Sequence, residues 1–224
     1  MFFARTQLKA LHAPRATVTC MLTVLLVLLA VQSTGTAASA APKTYHDLLD
    51  PLWKGKMSVC SDSIAVKWVG MILNAMGLEY LEKLRRQDVK VQMIGAGALG
   101  NLVVSGEVPL SPTITDFTLF NARKKGAPVE WRPLDPVLTN SGLIAITTKT
   151  DHPHAAMLFI DYLSSKEGQN IVVQGGLSSP RLDIGDLSTK FKKNFVTSGF
   201  SPEEFERKYS EWEDLLKRLF IQKR

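Results

Sequence analysis

Ser61-Asp62-Ser63 places two hydroxyls and a carboxylate in a row, just ahead of an apolar periodic run. Their side-chain oxygens suit the N-terminus of a helix, where the first amides lack partners. Thr113, Thr115 and Asp116 repeat the same mixture of groups further on. Gly95, Gly97 and Gly100 have the spacing of a dinucleotide-binding loop and follow a possible strand. Such a loop also needs an acidic residue about 20 positions on. Asp116 is the candidate, but its proline-containing segment does not read as the second strand of a βαβ unit. The glycine spacing therefore stands as an isolated match. His152 and His154 follow Asp151 at the start of a helical pattern, from which they diverge, whereas a metal needs convergent ligands. Capping and exposure are the expected roles there. Asp161, Glu167 and Glu107 read as solvated acids. No G-x-S-x-G or Walker loop occurs. The residues argue for a protein that is not an enzyme and holds no metal or cofactor.

The elements that must position these groups alternate in type. Lys56 to Cys60 reads as a short strand, and Ile64, Trp68, Met71, Ile72 and Ala75 mark the apolar face of the next helix. Gly77 is expected to end that helix, and Leu78 to Arg86 to form a second. Val89 to Ile94 is a strand candidate leading through the glycine run to a short helix around Leu102 to Ser105. Val108 to Leu110 and Thr113 to Thr115 suggest a further strand and turn. Asn121 to Lys125 is helical in pattern, Pro128 to Arg132 extended, and Leu143 to Thr147 the clearest buried strand. Pro153 suits the first turn of the following helix. This alternation predicts an α/β sheet. After Ser201-Pro202-Glu203-Glu204, which has the form of a capping box, Phe205, Tyr209, Trp212, Leu216 and Leu219 share one helix face. That face is expected to pack on the parent domain, with a partner protein as the alternative.

Residues 1–40 differ in character. Arg5, Lys9 and Arg15 precede the apolar run from Cys20 to Val31, and a small-residue stretch ends in Ala38-Ser39-Ala40. That is the layout of a secretory leader with cleavage after Ala40. The run is shorter than the roughly 20 residues a spanning helix needs. Cleavage would remove those three positive charges and lower the net charge from +6 to +3. Mild basicity without basic blocks excludes nucleic acid as the expected partner. Of the two cysteines only Cys60 would remain, so no intramolecular disulfide is expected. The destination is periplasmic or secreted.

Four stretches, TYHDLLDPLWKGKMSV, LVVSGEVPLSPTITD, KKGAPVEWRPLDPV and the run from HPHAAMLFIDYLSSKEGQNIV to SSPR, resemble successive signatures of extracellular solute-binding proteins of ABC importers, in the ferric-iron-type branch. The resemblance covers about Pro42 to Asp183. It implies a type II periplasmic-binding-protein-like α/β fold, in which a solute is held between two lobes and delivered to a membrane permease. It also implies that DLLDPLWKGK marks the crossing into the second lobe, so most of the first lobe is expected to be absent. The expected division is a leader (1–40), a second lobe (41–136), a return strand and helices of the incomplete first lobe (137–185), and a helical tail (186–224). On this reading Ser61, Ser63, Thr113, Thr115, Asp116 and Asn140 bind a small anionic or metal-associated solute. Ferric-binding relatives use an adjacent tyrosine pair in the second lobe. Pro112 to Phe117, the matching stretch, has no tyrosine, so an organic or oxyanion solute is expected at least as much as iron. The alternative from another class is a secreted protein-interaction module that no longer binds solute and uses its Trp212 face.

Overall fold

The computed structural model describes residues 19–32, 41–185, 195–197 and 202–222. The chain divides into two compact units, one formed by Leu25–Asn140 with Lys193–Arg224, the other by Met1–Val24 with Ser141–Lys192.

The larger unit is built on short parallel strands, each feeding a helix. Strand β2 (Ser58–Val59) leads into α1 (Ser63–Arg85), β3 (Lys90–Val91) into α2 (Ala96–Ser105), and β4 (Leu110–Thr115) into α3 (Asp116–Lys124). β2 pairs with β3 in parallel, and a parallel bridge joins Met57 to Leu110 at the start of β4. Three strand ends therefore point the same way. On its other side β4 pairs antiparallel with β1 (Thr19–Gln32), which also pairs with β5 (Val129–Arg132). The sheet continues through β6 (Val137–Ala145) to β7 (Phe195–Thr197), the latter parallel to Val137–Thr139. The apolar run from Cys20 to Val31 lies within β1.

Several expected elements shift. Thr113 to Thr115 does not follow a turn: β4 runs without a break from Leu110 to Thr115, with all six residues buried. Pro112 lies where the β1–β4 register shifts, between the Ala30–Ser111 and Leu28–Ile114 pairs, and such an irregularity accommodates a proline inside a sheet. The glycine run does not precede its helix but forms its first turns, since α2 starts at Ala96. α3 begins five residues earlier than the pattern in Asn121 to Lys125 suggests, directly after β4. The clearest buried strand is displaced as well. β6 starts at Val137, where Val137, Leu138 and Thr139 are buried, whereas Ala145 and Thr147 are exposed.

α1 follows the sequence closely. Asp62 is its N-cap, with a carboxylate oxygen accepting from the Ile64 amide. At Gly77 the backbone turns to φ 80° and ψ 172°, so the helix breaks there and resumes. Glycine tolerates that conformation because it has no Cβ to clash. Trp68, Val69, Ile72, Leu81 and Leu84 form the buried face on either side of the break. Helix α6 (Pro202–Leu216) and the π-helical turn Lys217–Ile221 lie on it. Trp212, Leu215, Leu216, Leu219 and Phe220 are all buried. The Trp212 face is therefore committed to α1 and unavailable to a partner. Ser201 lies outside the described residues.

The smaller unit contains α4 (Pro153–Ser164) and α5 (Lys166–Gln174). Ser165 separates them and caps α5, its hydroxyl accepting from the Gly168 amide at 3.1 Å. Buried Gln169 accepts from the Ser179 hydroxyl at 2.7 Å and donates to the Leu163 carbonyl at 2.8 Å. Arg181 adds a bond to the Ser164 carbonyl at 3.0 Å. These bonds hold SSPR against the α4–α5 corner. No residue of α4 is buried, and Leu158, Phe159 and Tyr162 are exposed.

Candidate functional site

The carboxyl ends of β3, β2 and β4 form the edge at which open α/β sheets hold ligands. Asp62 is the centre of that edge. One carboxylate oxygen accepts from the Ile64 amide at 2.9 Å and from the Cys60 thiol at 3.1 Å. The other accepts from the Ala96 amide, also at 2.9 Å. One side chain thus caps α1 and reaches the first turn of α2. Helix N-termini attract negative charge because their amides are unpaired and the helix dipole is positive there. Here an internal carboxylate fills that role for two helices at once.

The hydroxyls around it divide into two sets. Thr113 is fully buried, and its Oγ1 accepts from the Cys60 amide at 3.1 Å, so it ties β4 to β2. The Ser111 hydroxyl lies 3.5 Å from it. Thr115 and Thr118 share a bond at 3.0 Å, and Asp116 accepts from the Phe117 amide at 2.9 Å. Thr115 and Asp116 are both buried. Ser61 is only partly buried, with its hydroxyl 3.5 Å from the Ile94 carbonyl, and Ser63 is exposed at the first position of α1. The structure thus gathers Ser61, Ser63, Thr113, Thr115 and Asp116 along one strand-end edge. Within that group, Ser61 and Ser63 are the ones open to solvent. Asn140 lies in β6, and its side chain is outside the described residues.

Sequence reasoning placed Asp62 among the cap residues but missed its second bond, to Ala96. No local signal shows that α2 starts 34 residues later against the same carboxylate. Thr118 was missed because the helix was expected from Asn121, whereas α3 begins at Asp116 and brings Thr118 back to Thr115. Burial pushes the Cys60 thiol up to about 11, despite the compensating bond from Thr113. Lys67, one turn into α1, is held below the usual lysine range by burial, while the nearby Asp62 charge pulls the other way. Its ammonium lies 5.1 Å from the centre of the Phe205 ring, a distance at which the ring face attracts a cation. Among the described residues no group of three His, Cys, Asp or Glu side chains could hold a metal ion.

Parallel strands that each feed a helix, with polar groups collected at their carboxyl ends, are the architecture of an open α/β binding domain, the kind from which type II periplasmic binding proteins are built. Solved structures of that class superpose on the chain. An iron- and citrate-bound IdiA (FutA) from Trichodesmium has a TM-score of 0.71 at 15% identity, covering 95% of this chain and 73% of that one. Iron-bound HitA from Pseudomonas aeruginosa gives 0.66 at 16%, covering 88% and 69%. AfuA from Actinobacillus pleuropneumoniae with fructose-6-phosphate bound gives 0.65 at 17%, covering 92% and 69%. At such identities the likeness establishes the fold. Residues 5–198 match the family model described as bacterial extracellular solute-binding protein, and the chain belongs to that family. No curated protein sequence matches the chain. The family is a solute-binding component of transport, not an enzyme family, and it is extracellular or periplasmic.

Proposed function

We propose that the chain is the solute-capturing component of an ABC importer, taking a small solute at the edge formed by Ser61, Ser63, Thr115 and Asp116 and delivering it to a membrane permease. The observation that carries this reading is the convergence of three strand ends and three helix starts on that edge. The relatives bind iron, iron with citrate, and fructose-6-phosphate. An anionic or metal-associated solute of that size suits the partly buried hydroxyl of Ser61 and the exposed one of Ser63. Asp62 already occupies the amides of Ile64 and Ala96, so an incoming anion would rely on the hydroxyls and the remaining amides. Thr113 is spent on the Cys60 amide and acts as a support beneath the edge.

The shortened first lobe belongs to the same proposal. Isothermal titration of the purified chain with ferric citrate, fructose 6-phosphate, phosphate and sulfate tests the capture role. Binding that is lost on replacing both Ser61 and Ser63 by alanine supports it, and no heat with any of them counts against it. A second reading, a secreted module for protein contacts, is favoured by one observation. The apolar residues Leu158, Phe159 and Tyr162 of α4 are exposed together, and such patches often mark contact surfaces. A chain that binds none of these solutes but is pulled into a complex through α4 would select that reading.

A further inference from the structure

In α4, Leu158 is 70% exposed, Phe159 57% and Tyr162 40%. With Ala155, which is also exposed, they stand at i, i+3, i+4 and i+7, the spacing of one helix face. Met157, Ile160 and Leu163 fall off this face and are half-buried. The helix thus turns an apolar stripe with two aromatic rings away from its own unit.

The stripe is self-complementary about its midpoint, which falls between Leu158 and Phe159. In an antiparallel pairing about a two-fold axis at that point, each residue meets the one equally far on the other side. Leu158 then meets the partner's Phe159, and Ala155 meets the partner's Tyr162. The smallest side chain of the stripe lies opposite the largest, the arrangement that lets two apolar layers interdigitate.

The flanking charges obey the same symmetry. Asp151 precedes the stripe by four residues and Lys166 follows it by four, and both are exposed. The axis therefore brings a carboxylate and an ammonium together at each end. A parallel pairing would set Asp151 against the partner's Asp151 and Lys166 against the partner's Lys166, which like-charge repulsion opposes. Asp183, whose charge also reaches Lys166, is already held by Arg181 at 2.8 and 2.9 Å.

We infer that this face of α4 binds a second copy of the chain, as an antiparallel helix pair centred between Leu158 and Phe159. The 12 residues of α4 span about 18 Å, so the contact falls short of the roughly 800 Å² per protomer of a standard complex. The dimer is therefore reversible, with a dissociation constant on the order of micromolar. The inference rests on α4 and does not depend on which solute is bound.

Sedimentation equilibrium of the purified full chain, from low to high micromolar protein, tests it. The expected result is a monomer–dimer equilibrium that stops at two copies, as a closed two-fold contact requires. A monomer throughout, or association that continues past the dimer, overturns the inference. Phe159→Glu changes an exposed position and should leave the circular dichroism spectrum intact. It is expected to weaken pairing roughly thirtyfold or more, and an equally stable dimer would place the contact elsewhere. Asp151→Lys and Lys166→Asp should each weaken pairing several-fold, and the double variant should restore it, because the charges are only exchanged. A double variant that pairs no better than the single ones refutes the antiparallel register. A host protein that copurifies with the parent chain, and is lost with Phe159→Glu, would give the face to a different partner and overturn the second copy. Solute titration on the same samples reads the capture role separately.

Discussion

The indole of Trp212 occupies the space that a side chain at Gly70 would need. A Cβ at residue 70 would stand 2.5 Å from one ring carbon and 2.7 Å from two others. Phe205 meets the same indole at 5.8 Å between ring centres, and Trp68 meets Phe220 at 6.0 Å. The C-terminal helix is thus seated by a glycine gap in α1, and its Trp212 belongs to the core of the larger unit.

Gly70→Ala is expected to push the indole out of this seat. Overpacking of this kind costs about 1–3 kcal/mol, whereas Trp212→Ala should cost about 3–5 kcal/mol by leaving a cavity. Because the two residues touch, the double variant should lose less than the sum. Urea unfolding of the three variants checks all of this, and additive losses would show that the contact is absent.

Asp62→Ala removes the cap of α1 and the acceptor of the Ala96 amide together. The expected loss is about 1–2 kcal/mol, the upper part of the range for a helix cap, with Asp62→Asn falling between it and the parent. Amide exchange at Ile64 and Ala96 should accelerate in parallel. If Ala96 alone stays protected, another acceptor serves α2.

Stability should fall at alkaline pH. Folding raises the Cys60 thiol from its ordinary 9.0 to about 11. The folded state therefore keeps a proton that the unfolded chain gives up first. The stabilisation is complete below about pH 9 and is lost as pH rises towards 11. A shift of that size corresponds to about 2–3 kcal/mol. Tyr45 and Tyr80 are also raised, chiefly by burial, and extend the decline beyond pH 10. Cys60→Ala should flatten the part of the curve between pH 9 and 11. An unchanged slope there would refute the assignment to Cys60.

A tight ferric site is not expected at this edge. β4 and the start of α3 carry hydroxyls, one carboxylate and Phe117, but no phenolate. Hard cations need several converging oxygen ligands. Titration with ferric citrate should develop no tyrosinate charge-transfer colour, and stoichiometric colour would sink the prediction.

On the shortened-lobe reading, solute affinity is weak. A solute resting on one open edge keeps water as a competitor, and each hydrogen bond is then worth only about 0.5–1.5 kcal/mol. After the cost of immobilising the solute, a dissociation constant on the order of millimolar is expected. Calorimetry decides this, because micromolar binding by the monomer requires a complete cleft.

Much of the larger unit was legible residue by residue. Ser61-Asp62-Ser63 announced the start of α1, Gly77 its interruption, and Phe205 to Leu219 the buried face of the tail helix, because each signal is local. Capping needs only a nearby oxygen, and a helix face repeats every few residues. β4 was harder to read, since Pro112 imitates a turn until the register shift between β1 and β4 shows how the sheet accommodates it. The boundaries of α2 and β6 moved because glycine spacing and apolar runs fix neither the helix start nor the strand register.

The sequence by itself determined the class of protein and the chemistry available at its edge. Four ordered motifs specify the family, and the residue types at positions 61–63 and 113–116 limit that edge to hydroxyls and carboxylates. Tertiary structure alone decided how these groups are used. It set Asp62 against an amide 34 residues away, turned Thr113 inward to Cys60, and left Ser61 half-buried and Ser63 facing water.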